Sequence, residues 1–347
     1  MSVPDCFVFC CGQPNNCPNA CPLAGDFVQK VRDAGGLSPR SDLFIRQDFT
    51  APFPAYTPCV QHEYGDLKLP DIPYVAIPTF AVFGGRPYGP SFDSGDALRQ
   101  AFGIAKQTRI VLLSIADDPY LEDFWLHFDV ANIPQTIAKL KVDFVTAPNF
   151  SMFLNVPRTD NVVNRNRSLL SAEALSKAGC SVVPYISALT PFDWDFWDGF
   201  FRERPGLSVC VKEFQKGDAH AERGAQWITS FRRLEDSVGR TLHLLAVAGR
   251  RHITALRQLG SYTVVDSGPF MKTVNRRALV VDRGRLRWRP FYCGREGLSD
   301  LFRWNLQRYT ELVNRKRLLA RPIQSAAAQP PLYAMKAEFT GSQRLLF

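Results

Sequence analysis

Two carboxylates stand at positions that suit chemistry. Glu213 directly follows the apolar run LSVCVK, and Asp266 directly follows YTVV. If these runs are parallel strands, both acids project from strand C-termini, where a carboxylate can serve as acid, base or nucleophile. Asp117, Asp118, Ser187 and Thr190 also follow apolar runs, but they stand where helix N-caps are expected, so capping is their first reading.

A second group lies in PNFSMFLNVPRTDNVVNRNR, residues 148–167. Amides and guanidinium groups at this density can read base edges and phosphates, and aromatic rings can stack on bases. Asn149, Phe150, Ser151, Arg158 and Asn164 are its candidate ligand contacts. The same stretch also reads as a capped loop feeding a solvated helix. Gly249-Arg250-Arg251-His252 opens a helix straight after an apolar run, so backbone N–H groups, helix dipole and two guanidiniums could converge on a phosphate. An exposed basic cap is the alternative. Trp194 and Trp197, three apart in PFDWDFWDGFF, read as packing.

The N-terminus carries Cys6, Cys10, Cys11, Cys17 and Cys21 among turn-forming Gly and Pro. Four thiolates so close, with little apolar material around them, suggest a structural zinc site ahead of an iron–sulfur cluster, with Cys6, Cys10, Cys17 and Cys21 as ligands. Reduced cysteines in a flexible leader are the alternative. The five histidines are scattered without an H-x-H pair, and no G-x-S-x-G elbow, P-loop or G-x-G-x-x-G turn occurs.

The elements that must position these groups alternate. Val/Ile/Leu-rich runs near 75–80, 109–115, 142–147, 181–186, 207–212, 241–247 and 262–265 read as strands buried on both faces. Helical patterns cover 94–106, 118–129, 133–140, 161–178, 193–203, 219–236 and 250–259. This alternation predicts an α/β fold, a TIM-like (β/α) barrel, with chemistry at the strand C-termini. The eighth strand is either Ala278–Val281 or missing, and 281–286 reads as a small hairpin, 296–318 as a long basic helix, and 36–73 as an irregular connection at the base. The implied organisation is a Cys-rich extension over 1–35, the barrel over 36–293 and a basic helix with tail over 294–347.

At 46% hydrophobic and 22% charged, the 347 residues can bury a large core, so a disordered chain is not expected. No apolar run is long enough to span a bilayer, which argues against a membrane partner and for a cytoplasmic protein. A net charge of +9 favours an anionic partner, with nucleic acid, DNA or RNA, first. Oligomeric state leaves no signature.

Two segments resemble the tRNA-guanine transglycosylase superfamily: Val145-Thr146-Ala147-Pro148-Asn149-Phe150-Ser151-Met152-Phe153 is similar to its T-D-S-G-G-F-Q-x-F stretch, and Val264-Val265-Asp266-Ser267 to the strand end that supplies its nucleophile. The whole pattern also resembles barrel proteins of phages and mobile elements. The first resemblance implies that Asp266 attacks an anomeric carbon and displaces a base. Asn149 and Gln215 are then candidate base-edge readers and Glu213 a candidate acid or base. The leading expectation is therefore a transglycosylase-like enzyme modifying a nucleic-acid base or nucleoside. The alternatives are a noncatalytic nucleic-acid-binding protein of a mobile element, and a barrel enzyme for a small phosphorylated metabolite anchored by Gly249 to Arg251.

Overall fold

The computed structural model describes residues 25–36, 40, 42–48, 52–65, 67–83, 89, 91–153, 156, 158–215, 220–282 and 285–318. Cys6, Cys10, Cys17 and Cys21 lie outside the described residues, so the expected zinc or iron–sulfur site does too. The first half of the chain runs α1 (Phe27–Asp33), β1 (Tyr56–Pro58), β2 (Tyr74–Pro78), α2 (Thr79–Val82), α3 (Gly95–Ala101), β3 (Arg109–Leu113), α4 (Asp118–His127), α5 (Ile133–Lys139), β4 (Phe144–Thr146) and α6 (Arg158–Lys177). The second half runs β5 (Val182–Val183), α7 (Pro191–Arg202), β6 (Val209–Glu213), α8 (Ala221–Val238), β7 (His243–Val247), α9 (Ile253–Leu256), β8 (Ser261–Asp266), α10 (Gly268–Val274), β9 (Arg277–Asp282), β10 (Arg285–Pro290) and α11 (Leu298–Leu318).

The Val/Ile/Leu runs become strands because helices cover them. Every residue of β2 is buried, as is all but the first of β3 and of β7, the burial expected of parallel strands packed on both faces. Local signals end the helices where they should. Ser94 accepts the Ala97 N–H as an N-cap, Thr190 and Asp193 form a reciprocal capping box on α7, and α8 stops at Gly239 in the left-handed conformation.

Two four-stranded parallel sheets result, ordered β1-β8-β7-β6 and β2-β3-β4-β5. They meet twice, through the parallel bridges Cys59↔Ala76 and Tyr185↔Val211. The stretch before β2, expected to be an irregular connection, supplies the strand at the first junction and reinforces the second. Its strand β1 pairs with β8 from Tyr56↔Val264 to Pro58↔Asp266, and the Val60 N–H then donates to the Ala76 carbonyl on β2 at 2.9 Å. At the other junction β5 is two residues long, and Gln47 stands in for missing ladder bonds. Its Nε2 donates to the carbonyls of Val182 (3.1 Å) and Val209 (2.8 Å), while its Oε1 accepts the N–H groups of Ser208 and Val209, both at 2.8 Å.

The expected eighth strand is corrected accordingly. Ala278–Val281 belongs to β9, which pairs antiparallel with β10 and with neither parallel sheet, and the strand between β8 and β2 is β1. Helix α11 closes over this hairpin. Buried Asn305 accepts the Leu279 N–H (2.8 Å) and donates to the Arg277 carbonyl (2.8 Å), and Trp304 Nε1 donates to the Leu279 carbonyl (2.9 Å). These side chains satisfy the free edge of β9. No helix among the described residues is long and apolar enough to cross a membrane.

The N-terminal ends of the strands are filled by aromatic rings. Phe53 lies 4.5 Å from Tyr74, 5.4 Å from Phe144 and 5.1 Å from His243, centroid to centroid. The Thr263 hydroxyl donates to the Pro54 carbonyl (2.6 Å), so its oxygen accepts from His243 Nε2 (3.0 Å), and Nδ1 accepts from Ser261 (2.7 Å). The ring is thus satisfied while neutral. Burial, seconded by the positive charge of Arg317, lowers its pKa from 6.5 to about 4.

Urea unfolding tests both features. Between pH 6.5 and 4 the unfolded chain protonates His243 and the folded chain does not, so its contribution to stability is complete above pH 6.5 and falls as pH falls. The native protein should lose about 2–3 kcal/mol more than His243→Gln between pH 7 and pH 4.5; parallel profiles would contradict this. Gln47→Leu keeps the side-chain volume but removes four hydrogen bonds, and should cost about 3 kcal/mol in the same assay.

Candidate active site

Two constellations form at the C-terminal ends of the strands. The first joins Glu213 to Asn149. The ladder of β6 ends at Glu213↔Val247, leaving Glu213 partly exposed at the strand tip. Asn149 follows buried Ala147 and Pro148 beyond β4 and is itself buried. Its Oδ1 accepts the Ala116 N–H at 2.9 Å, so the amide must turn Nδ2 away, and Nδ2 donates to Glu213 Oε2 at 2.8 Å. A strand-end carboxylate is thereby held in a fixed orientation by an amide that has no freedom to flip.

The second constellation surrounds Asp266, the last residue of β8. Its Oδ1 accepts the Gly268 N–H at 2.5 Å and its backbone carbonyl accepts the Tyr56 hydroxyl at 2.8 Å. A Cβ on residue 268 would stand 2.7 Å from Asp266 Oδ1, so only glycine allows the carboxylate to fold back onto its own loop. The Tyr309 hydroxyl of α11 lies beside the same carboxylate, with the Arg250 guanidinium 5.7 Å from the Tyr309 ring centre. Burial, then the Asp266 charge, raises the Tyr309 pKa, so this hydroxyl keeps its proton. Cys59 beside Asp266 is no nucleophile, because burial and then the same charge push its thiol up to about 12.

Asp266, Gly268 and Tyr309 line a cavity of about 370 Å3 with Gln215, Ala248, Arg250, Arg251, Lys272 and Trp288. Ala248 explains how two arginines reach it. It adopts the left-handed conformation at φ 55°, rare for a residue with a Cβ, and is fixed by its N–H donating to the Val265 carbonyl at 2.7 Å. The chain then makes one 3₁₀ turn, Gly249–His252, ahead of α9. Gly249 is buried, and a Cβ there would fall 2.7 Å from that of Ala246. Its part is to admit the turn, while Arg250 and Arg251 line the cavity.

Of the other expected contacts, Gln215 and Arg250 share the Asp266 cavity and Asn149 holds Glu213. Phe150, Ser151, Arg158 and Asn164 instead fasten the loop after β4 to its surroundings. Phe150 is buried beneath Arg167 at 4.2 Å, and the Ser151 hydroxyl donates to Asp118 at 2.5 Å. Asn164 donates to the Ser151 carbonyl (2.6 Å) and accepts from Arg167 (2.6 Å). Arg158 is exposed, donating to Thr190 at 3.1 Å and lying 3.6 Å from Asp193. Helix α6 is not the solvated helix of the alternative reading. Asp160, Asn161, Arg165, Asn166 and Arg167 are buried in it, Arg165 pairing with Asp193 at 2.9 Å and Arg167 with Glu122 at 2.7 Å.

Sequence reasoning missed Tyr309, Trp288, Lys272 and Tyr56. For Tyr309 a signal existed: Leu301, Phe302, Leu306, Tyr309 and Val313 form the buried stripe of α11, so a hydroxyl was bound to meet the surface that this helix covers. A larger groove, about 810 Å3, lies along α1, α4 and α6, away from the strand ends. Among the described residues no group of three or more His, Cys, Asp or Glu side chains could hold a metal ion.

No family model matches the chain, and no curated protein matches it. A similar solved structure is the HpcH/HpaI aldolase from Desulfitobacterium hafniense DCB-2, at 8% identity and a TM-score of 0.31, covering 64% of this chain and 90% of that one. The resemblance to tRNA-guanine transglycosylases is corrected by these findings, since that family, like every other, fails to match. The local geometry differs as well: the loop after β4 presents an amide that orients Glu213, with buried Ala147 and Pro148 before it. Base exchange on a nucleic acid with Asp266 as the nucleophile is withdrawn with the resemblance.

Proposed function

We propose that the two sheets form one closed eight-stranded (β/α) barrel, and that the chain is an enzyme for a small phosphorylated metabolite held by its phosphate among Arg250, Arg251 and Lys272. Closure is supported by parallel bridges at both junctions. In barrels of this kind the loops after the seventh and eighth strands commonly bind phosphate, because backbone and side-chain donors converge there without blocking the mouth. The observation that carries the reading is the cavity after β7 and β8, which Lys272 of α10 lines together with the two arginines delivered by the Ala248 turn. Asp266, the one carboxylate among the described residues that line it, already accepts the Gly268 N–H and lies beside Tyr309. A dianion would therefore meet three cations, with charge-assisted bonds stronger than neutral ones.

Glu213 is the acid–base group of this reading. Its orientation by Asn149 fits a carboxylate that takes a proton from the bound substrate and returns it. Asp266 stands at the phosphate end, its carboxylate folded back onto the Gly268 N–H beside Tyr309 and Arg250.

The test is calorimetric titration with inorganic phosphate and glycerol 3-phosphate, against glycerol. The phosphorylated ligands should bind and glycerol should not, and Arg250→Ala should weaken binding about 10- to 100-fold, the loss of a hydrogen bond to a charged group. Glycerol binding as well as its phosphate, or unchanged affinity in both Arg250→Ala and Lys272→Ala, would overturn the reading.

A further inference from the structure

Almost all of the chain's net positive charge sits in one place, and the cavity uses little of it. From Arg276 to Arg317 there are twelve Arg and Lys against four Asp and Glu, eight of the nine net charges of the whole sequence. This stretch is β9, β10, the loop after them, and α11. Arg287 and Arg289 flank Trp288 on β10 and are both exposed. Alternate residues of a strand share one face about 6.6 Å apart, a spacing comparable to that of successive phosphates along an extended strand.

Aromatic rings are exposed on the same unit. Tyr292 is 97% exposed, Phe291 47% and Trp304 44%. Two of them are anchored. The Phe291 N–H donates to the Arg276 carbonyl (2.9 Å), and Trp304 is fixed to β9 through Leu279, with the Arg308 guanidinium 4.7 Å from its ring. Arginines alone could serve to keep the edge of β10 from pairing with another strand. Three solvent-facing rings among them add nothing to that task, and their exposure costs apolar burial.

We propose that this hairpin-and-helix face binds single-stranded nucleic acid, its arginines on the phosphates and Phe291, Tyr292 and Trp304 as stacking surfaces for bases. Cationic grooves with interspersed rings bind single strands without sequence preference, because every base offers a π-face. An anionic membrane would instead favour a continuous aliphatic face beside the cations, whereas the large apolar side chains exposed after β10 and on α11 are aromatic rings.

The test is fluorescence anisotropy of the whole protein with a labelled oligothymidylate over a range of salt concentrations. Affinity should fall steeply with salt, and Arg287→Gln with Arg289→Gln should lower the logarithmic salt slope by about 1.4, which is about 0.7 for each phosphate left without its arginine. Tyr292→Ala should weaken binding about tenfold while leaving the slope unchanged. An abasic oligonucleotide should bind more weakly and be insensitive to Tyr292→Ala. Equal melting temperatures would show the variants folded, as expected for exposed side chains. No binding, a salt slope indifferent to the double variant, or equally tight capture by phosphatidylglycerol vesicles would overturn the proposal.

Discussion

Parallel strands need partners on both edges, and where the two four-stranded sheets meet, the chain ahead of β2 adds what the strands lack. At one junction the segment contributes β1, three residues paired to β8 and continued by Cys59 and Val60 onto β2. At the other, the single side chain of Gln47 bonds the backbones at the starts of β5 and β6. Both candidate constellations inherit their geometry from these junctions. Asp266 is the last partner of β1, and Glu213 ends the strand that Gln47 pins at its beginning.

The C-terminal hairpin and α11 make a second dependence. Tyr309 belongs to α11, yet it lines one cavity with Asp266 and Arg250 at the strand ends, as does Trp288 of β10. Asn305 and Trp304 fix α11 to the edge of β9, so the site is completed by elements outside the strand–helix repeat. The proposed phosphate anchor and the proposed nucleic-acid surface lie on neighbouring sides of this unit, one facing the strand ends and one facing solvent.

Much of the scaffold was legible because strands buried on both faces leave continuous Val/Ile/Leu runs, and those runs located β2 through β8 within a few residues. β1 was hidden for the same physical reason in reverse. Tyr-Thr-Pro is too short for a hydrophobic pattern, and its role depends on β8, some two hundred residues away. Glu213 and Asp266 could be picked out because an acid closing an apolar run is unusual, and Arg250 because it opens a helix. Which acid pairs with which partner could not be read, since Asn149 meets Glu213 and Tyr309 meets Asp266 only through tertiary packing. α6 misled because its polar composition suits a solvated helix, whereas partners on α1, α4, α7 and the 40–48 segment bury it.

The phosphate anchor is most directly probed by a crystal structure of the protein soaked in tungstate, a phosphate mimic whose anomalous signal locates it without ambiguity. One well-occupied ion should appear in the cavity after β7 and β8, within hydrogen-bonding reach of Arg250 and Lys272. An empty cavity, with tungstate bound only along the exposed arginines of β10, would contradict the anchor.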